Sequence, residues 1–291
     1  MAIEIASVNW PAARRATYSV TQSFRYEYPQ PVSDLKHRLV VIPPERFGDQ
    51  RRLRHQVSVG LDGVTLDDLR DRFGNNVVEV FASRVASAIE FDVNIAVERR
   101  AAEPNRLLDG WLADGYLLQP SALTTPDAQI RRIAEELSGS ASWGLELADR
   151  INGWVHEAMT YEYGVTGVRT TAAAALAQGA GVCQDYAHIM LTICRACGLP
   201  ARYVSGHLLG QGGTHAWVEV VLPTNDGTGD AIAWPFDPTQ ASRAGLGYVT
   251  IAVGADYSDV APTSGTYVSP FLGRLETHKT VTLTGMEYGA G

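Results

Sequence analysis

The chain changes its hydrophobic period part-way along. In "AIEFDVNIAV", Ile89, Phe91, Val93, Ile95 and Val97 alternate with Glu90, Asp92, Asn94 and Glu98. A period of two buries one face of a strand and wets the other. "LRHQVSVGL" alternates as well, which places Leu53, Val57, Val59 and Leu61 inward. Turns interrupt the pattern at Pro43-Pro44, Asp62-Gly63 and Phe73-Gly74-Asn75-Asn76. Short strands with no helix between them predict an antiparallel β-sandwich.

After about residue 103 the period becomes helical. In "TPDAQIRRIAEELSG", Thr125 suits an N-cap and Pro126 the first helical position, while Ile130, Ile133, Ala134 and Leu137 share one face and Gly139 ends it. A second helix turns Leu147, Ile151, Trp154, Val155 and Ala158 inward. A third, rich in alanine, runs from about Thr171 to Gly179, and "GVCQDYAHIMLTICRACGLP" makes a fourth, ended by Gly198 and Pro200. Strands return at "ARYVSGHLL", "THAWVEVVLP" and "AIAWPFDP", and a β-rich tail runs from Tyr248 to Leu283. Helices followed by strands predict a segregated α+β unit. The expected organisation is a sandwich domain over residues 1–103 and a second domain over 104–291, tail included.

Composition narrows the function classes. A chain of 291 residues suits two cores better than one. It has no apolar run long enough to cross a membrane, and its N-terminus lacks a signal-peptide core, which makes a cytoplasmic address the default expectation. All three cysteines fall between Cys183 and Cys197, so no disulfide framework is expected. The formal charge of −8 argues against a nucleic-acid surface, and the arginines at Arg51, Arg52 and Arg54 read as solvated charge. No cofactor is expected. "NDGTGD", Asn225 to Asp230, lacks a calcium-ligand spacing and reads as a hairpin turn, so no metal is expected either.

The fourth helix carries the candidate chemistry. Gln184, His188, Thr192 and Arg195 form one polar strip, and the rest of the circumference is apolar enough to be nearly buried. Cys183 sits in its first turn, where unpaired N–H groups and the helix dipole favour a thiolate and would stabilise an oxyanion. Gly179 and Gly181 permit a tight turn and a close backbone approach to a substrate. On the helix alone, a small buried cysteine accounts for Cys183 equally well. Cys194 and Cys197 form C-x-x-C in the last turn of an apolar helix with no second ligand pair, and they read as core.

A nucleophilic cysteine needs a histidine and a group that orients it. Of seven histidines, His188 is nearest in sequence, but five helical residues turn it about 140° and lift it ~7.5 Å away. His156 has no evident partner, and His37, His55 and His278 lie in the β-rich ends. His207, in "SGHLLG", suits a strand end. His215 follows a glycine loop in "GQGGTHAWVEVVLP" and shares a strand face with Trp217 and Glu219. One strand on, "AIAWPFDPTQ" ends an apolar strand with Asp237, an expensive position for a carboxylate without a partner. A hairpin would set Asp237 beside His215, although a turn or cap role also fits the aspartate.

With these residues in view, "GVCQDYAHIM", "GLPARYVSGHL", "THAWVEVVLP" and "FDPT" resemble, in order and spacing, the bacterial transglutaminase-like family of the papain-like superfamily. "YEYPQPV" and "DRFGNN" resemble the family's N-terminal β-domain, and "ADYSDVAPTSGTY" its tail. The resemblance implies a papain-like core carrying a Cys183–His215–Asp237 triad. Papain-like enzymes often place a glutamine just before the cysteine; Val182 stands there, so that role does not carry over to Gln184, which follows it. Gln184, Trp154, Tyr161, Tyr163 and Trp217 are the candidates for oxyanion and cleft positions. The expected activity is acyl transfer from an amide through a thioester, with a peptidase or amidase acting on peptide or protein substrates placed first. A true transglutaminase passing a glutamine acyl group to an amine, and a non-catalytic binding module, are the alternatives.

Overall fold

The computed structural model describes residues 3–101, 105–113 and 115–289. The first hundred residues form β1 (Ala13–Glu27), β2 (Val32–Ile42), β3 (Arg46–Phe47), β4 (Gln50–Val59), β5 (Thr65–Arg70), β6 (Asn76–Val85) and β7 (Ala88–Arg100). Next come β8 (Asn105–Leu107), α1 (Ala128–Ser138), α2 (Leu145–Ala158), β9 (Thr160–Tyr161), α3 (Ala172–Gln178), β10 (Ala180–Gly181) and α4 (Cys183–Ala196). The chain then runs through β11 (Ala201–Leu208), β12 (His215–Pro223), β13 (Ala231–Asp237), β14 (Ser242–Arg243) and β15 (Tyr248–Gly254). It finishes with α5 (Tyr257–Val260), β16 (Thr263–Val268) and β17 (Arg274–Tyr288).

The alternating residues of β7 behave as their period requires: Ile89, Phe91, Val93, Ile95 and Val97 are all buried. Leu53 does not. It is half exposed because a bulge between Arg52 and Arg54 interrupts the β4–β7 register, and one extra residue turns the side chain to the other face. The sandwich consists of a five-stranded sheet in the order β17-β1-β7-β4-β3 and a four-stranded sheet in the order β16-β2-β6-β5. Both contain a strand from the C-terminal tail. β17 pairs with β1 from Ala13–Tyr288 to Glu27–Arg274, and β16 pairs with β2. The tail therefore builds the N-terminal sandwich and leaves the second domain, to which its position in sequence assigned it. The boundary expected at residues 103 and 104 lies outside the described residues.

Six further strands form an antiparallel sheet in the order β14-β13-β12-β11-β15, with β8 paired to β13, while β9 and β10 make a separate parallel pair. Helix α4 lies between this sheet and the other helices, touching β11 and β12 on one side and α1, α2 and α3 on the other. Burial of Ile189, Met190, Leu191 and Ile193 stabilises this position by about 1.5–3 kcal/mol per side chain. The polar strip of the helix is buried beyond Gln184, and each member finds a partner. The Thr192 hydroxyl donates to the His188 carbonyl at 2.7 Å, His188 Nε2 accepts from Tyr257 N, and Arg195 donates to Thr124 Oγ1 and the Ala201 and Ala255 carbonyls. The start of α1 is two residues later than its pattern suggests: Asp127, not Thr125, caps it by accepting from Ile130 N at 2.8 Å.

β15 is an edge strand of its sheet, and the sandwich covers that edge with side-chain amides. Gln50 donates to the Thr250 carbonyl at 2.7 Å and accepts from Thr250 N at 2.9 Å. Asn75 does the same at Val253, at 2.7 and 2.9 Å, and is held by Asp71. Each amide takes the place of a neighbouring strand at one residue. Asn75→Leu would leave a buried N–H and C=O of β15 unpaired, each costing about 1–3 kcal/mol, so the urea midpoint should fall by the equivalent of ~2–4 kcal/mol. An unchanged midpoint would show that the edge is satisfied by other means.

Candidate active site

Cys183 is placed by a sequence of local devices. Gly179 ends α3 in the left-handed conformation with φ 72°. Ala180 and Gly181 then pair in parallel with Thr160 and Tyr161, which aims the chain into α4. Val182 occupies the N-cap with extended backbone and offers no side-chain oxygen, so Asp185 performs the capping instead. Its carboxylate accepts from Val182 N at 2.8 Å and from the Thr166 hydroxyl at 2.6 Å. Burial outweighs these bonds and raises the Asp185 pKa. A Cβ on Gly181 would lie 2.5 Å from Asp185 Oδ2. The close approach that this glycine permits is therefore to Asp185 and not to a substrate.

His215 opens β12 and Asp237 closes β13, and the antiparallel pairing of these strands brings the two side chains together. His215 Nε2 lies 2.7 Å from Asp237 Oδ2, and both side chains are at most 1 % exposed. A carboxylate only accepts, so Nε2 carries the proton. Asp237 also accepts from the Tyr248 hydroxyl at 2.8 Å and from Thr239 N at 2.9 Å. Nδ1, the other ring nitrogen of His215, is buried and pairs with no nitrogen or oxygen. Burial, the largest influence on this imidazole, disfavours its charged form. The hydrogen bond to Asp237, the Cys183 thiol and the charges of both act the other way and prevail, and the pKa is pushed up to about 9.

Cys183 and His215 open onto a cleft of about 560 Å³. Of the other residues expected there, Tyr161, Tyr163 and Gln184 line it. Trp154 does not; it packs, half buried, against the hydrophobic core. Trp217 is also outside the cleft. It is fully buried beside His215, 6.2 Å between ring centroids, and touches Tyr248 edge-on. Its place is behind the imidazole, where it excludes water from the His215–Asp237 pair. The Tyr161 pKa is raised by burial first, then by the Tyr163 hydroxyl and by negative charge on Cys183, while the Cys183 N–H opposes the shift. Gln184 extends its amide toward the Val168 carbonyl, 3.4 Å away.

Tyr248, Tyr203, Tyr257, Thr277 and Lys279 also belong to the surroundings of this pair, and none was singled out in the sequence. Their signal is long-range: β15, α5 and β17 reach the site only through tertiary packing. Two other histidines have structural surroundings. His207 bonds to the Gly213 carbonyl at 3.2 Å and thereby fixes the glycine loop, and burial lowers its pKa to about 4. His188 is likewise drawn down to about 4 by burial. Cys194 is fully buried and Cys197 lies against the Ala134 carbonyl, with burial raising both thiol pKa values. In the β12–β13 turn, Asp226 and Asp230 pair with Arg106.

An antiparallel sheet with the cysteine at the N-terminus of its central helix is the fold of transglutaminase-like cysteine proteases. A crystal structure from Cytophaga hutchinsonii, described as a candidate cysteine protease, superposes with a TM-score of 0.77 at 20 % identity, covering 95 % of this chain and 93 % of that one. Residues 131–238 match the transglutaminase-like superfamily and residues 18–98 match the bacterial transglutaminase-like N-terminal region. The chain belongs to the bacterial transglutaminase-like family. An uncharacterized protein of Mycobacterium leprae is 33 % identical over 52 % of this chain, an alignment that spans about half, 54 %, of that relative. One of Mycobacterium bovis is 24 % identical over 89 % of this chain and 90 % of its own length.

Proposed function

We propose that the protein is a cysteine-dependent acyl-transfer enzyme that cleaves an amide bond through a thioester and releases the acyl group to water. The observation that carries this reading is His215, held by Asp237 through Nε2 and adjoining Cys183 on the same cleft, with a pKa near 9. At neutral pH such an imidazole is protonated, which favours a thiolate beside it.

The steps follow from that pairing. The Cys183 thiolate attacks the substrate carbonyl, and the charge that develops on oxygen meets the unpaired N–H groups at the start of α4, that of Cys183 first. The imidazolium gives its proton to the departing amine as the C–N bond breaks, leaving a thioester and neutral His215. A water enters, loses a proton to His215 and attacks the thioester. The acid departs and the thiolate–imidazolium pair is restored. Asp237 holds the ring so that Nδ1, not Nε2, exchanges the proton.

The test uses a library of glutaminyl and unmodified peptides, with turnover followed as released ammonia or cleaved peptide. Cys183→Ala should keep its circular dichroism and thermal transition while losing at least about a thousandfold in rate. Added primary amine should leave the wild-type products unchanged. Incorporation of that amine in preference to water would replace hydrolysis with transglutamination, and full activity of the alanine variant would remove Cys183 from the mechanism.

A further inference from the structure

One wall of the cleft comes from the sandwich. β17 contributes Thr277 and Lys279 to the same cavity that holds Cys183 and His215. The Lys279 ammonium lies over the Phe24 ring, with Nζ 5.2 Å from its centroid, a cation–π contact that favours this position of the charge. Among the described residues no carboxylate pairs with it, although carboxylates pair with arginines throughout the sandwich, as at Arg99–Asp49 and Arg15–Glu98. Burial is the influence on this ammonium, drawing its pKa down to about 8.

The charge around the cleft makes this cation distinctive. The chain carries 32 acidic and 24 basic side chains, yet among the described residues no Asp or Glu lines the cleft. The Asp237 carboxylate lies behind the His215 ring and outside the cleft lining, so Lys279 is the cation that the sandwich wall presents to the cleft without a facing carboxylate. A partly buried ammonium without a counter-ion is costly, and a ligand that brings the anion recovers that cost on binding.

We propose that Lys279 selects acyl substrates bearing a carboxylate set apart from the scissile carbonyl, such as an acidic peptide. This rests on Cys183 being the nucleophile. The thiol itself can report the preference before any substrate is known, through two alkylating probes of equal shape: the α-amides of N-iodoacetyl-glutamate and N-iodoacetyl-glutamine. His215 attracts the anionic probe in every variant, so the readout is the glutamate-to-glutamine rate ratio at Cys183, compared between variants by mass spectrometry. Lys279→Met should lower that ratio at least about fivefold, and Lys279→Arg should retain it. A ratio that is equal in wild type and Lys279→Met, with Cys183 still reacting fast, overturns the role of Lys279 alone. Reaction of Cys183 no faster than that of Cys197 with either probe overturns the nucleophile on which the inference rests.

Discussion

His215→Gln is expected to slow alkylation of Cys183 by iodoacetamide about a hundredfold near pH 6. The thiolate is the form that alkylates, and a positively charged imidazole beside the sulfur favours that form whereas glutamine carries no such charge. Glutamine fills the space of the ring and can still donate to Asp237, which keeps the effect chemical. Cys197, with its raised pKa, serves as the internal control. The sign of the pH dependence follows from the same ring. Its folded pKa of about 9 lies above the ordinary 6.5, so the folded state binds the extra proton between those values. The stability gained from it is complete below about 6.5 and is lost as pH rises through about 9. Amide turnover should fall over the same upper limb, because neutral His215 cannot protonate the leaving amine. Alkylation should not fall there, since it needs no acid to protonate a leaving amine. Equal alkylation rates in wild type and His215→Gln near pH 6 would dissolve the ion pair as an explanation.

Arg202→Leu is expected to cost about 3–5 kcal/mol of stability, read from urea unfolding. Arg202 on β11 and Glu219 on β12 stand opposite one another, with guanidinium nitrogens 2.6 and 2.7 Å from one carboxylate oxygen. Their side chains are 7 % and 5 % exposed. Removing the arginine leaves Glu219 buried with, among the described residues, the Asn105 amide at 3.2 Å as its remaining side-chain partner. Replacing both members by apolar residues should restore much of the loss, because an uncompensated charge is what destabilises. Glu219 is four residues beyond His215 on the same strand, so the single variant should also unfold the site when it unfolds the sheet. A cost below about 1 kcal/mol would mean that water or another cation reaches Glu219.

Local periodicity was enough for most elements. The strand at residues 88–100, the three long helices α1, α2 and α4 and the run from Ala201 to Asp237 follow from spacing of two or three to four, because those positions face a core directly. The cysteine at the helix start, the strand-mouth histidine and the strand-end aspartate were likewise legible as positions, since a hairpin joins the strands of the last two. What the sequence concealed depends on pairing at a distance. A bulge at Leu53 reverses one face without changing composition. Trp217 shares its strand face with His215, and only the packing of Tyr248 places it behind the ring and not in the cleft. Nothing near Lys279 marks it, because its meaning comes from residues more than sixty positions earlier. The tail was read with the domain that precedes it, although its hydrogen bonds go to the opposite end of the chain.

That last pairing bears on the order of events during synthesis. Strand β1 leaves the ribosome early, but its neighbour β17 follows more than two hundred residues later, as the Arg15–Glu287 contact illustrates. At roughly 5–20 residues per second the wait is many seconds, and a non-local closure of this kind is intrinsically slow. Cys183, His215 and Asp237 have all been made before Lys279 emerges. The nascent chain thus holds all three of these side chains before the wall that carries Lys279, and the final strand completes both the sandwich and the cleft in one step.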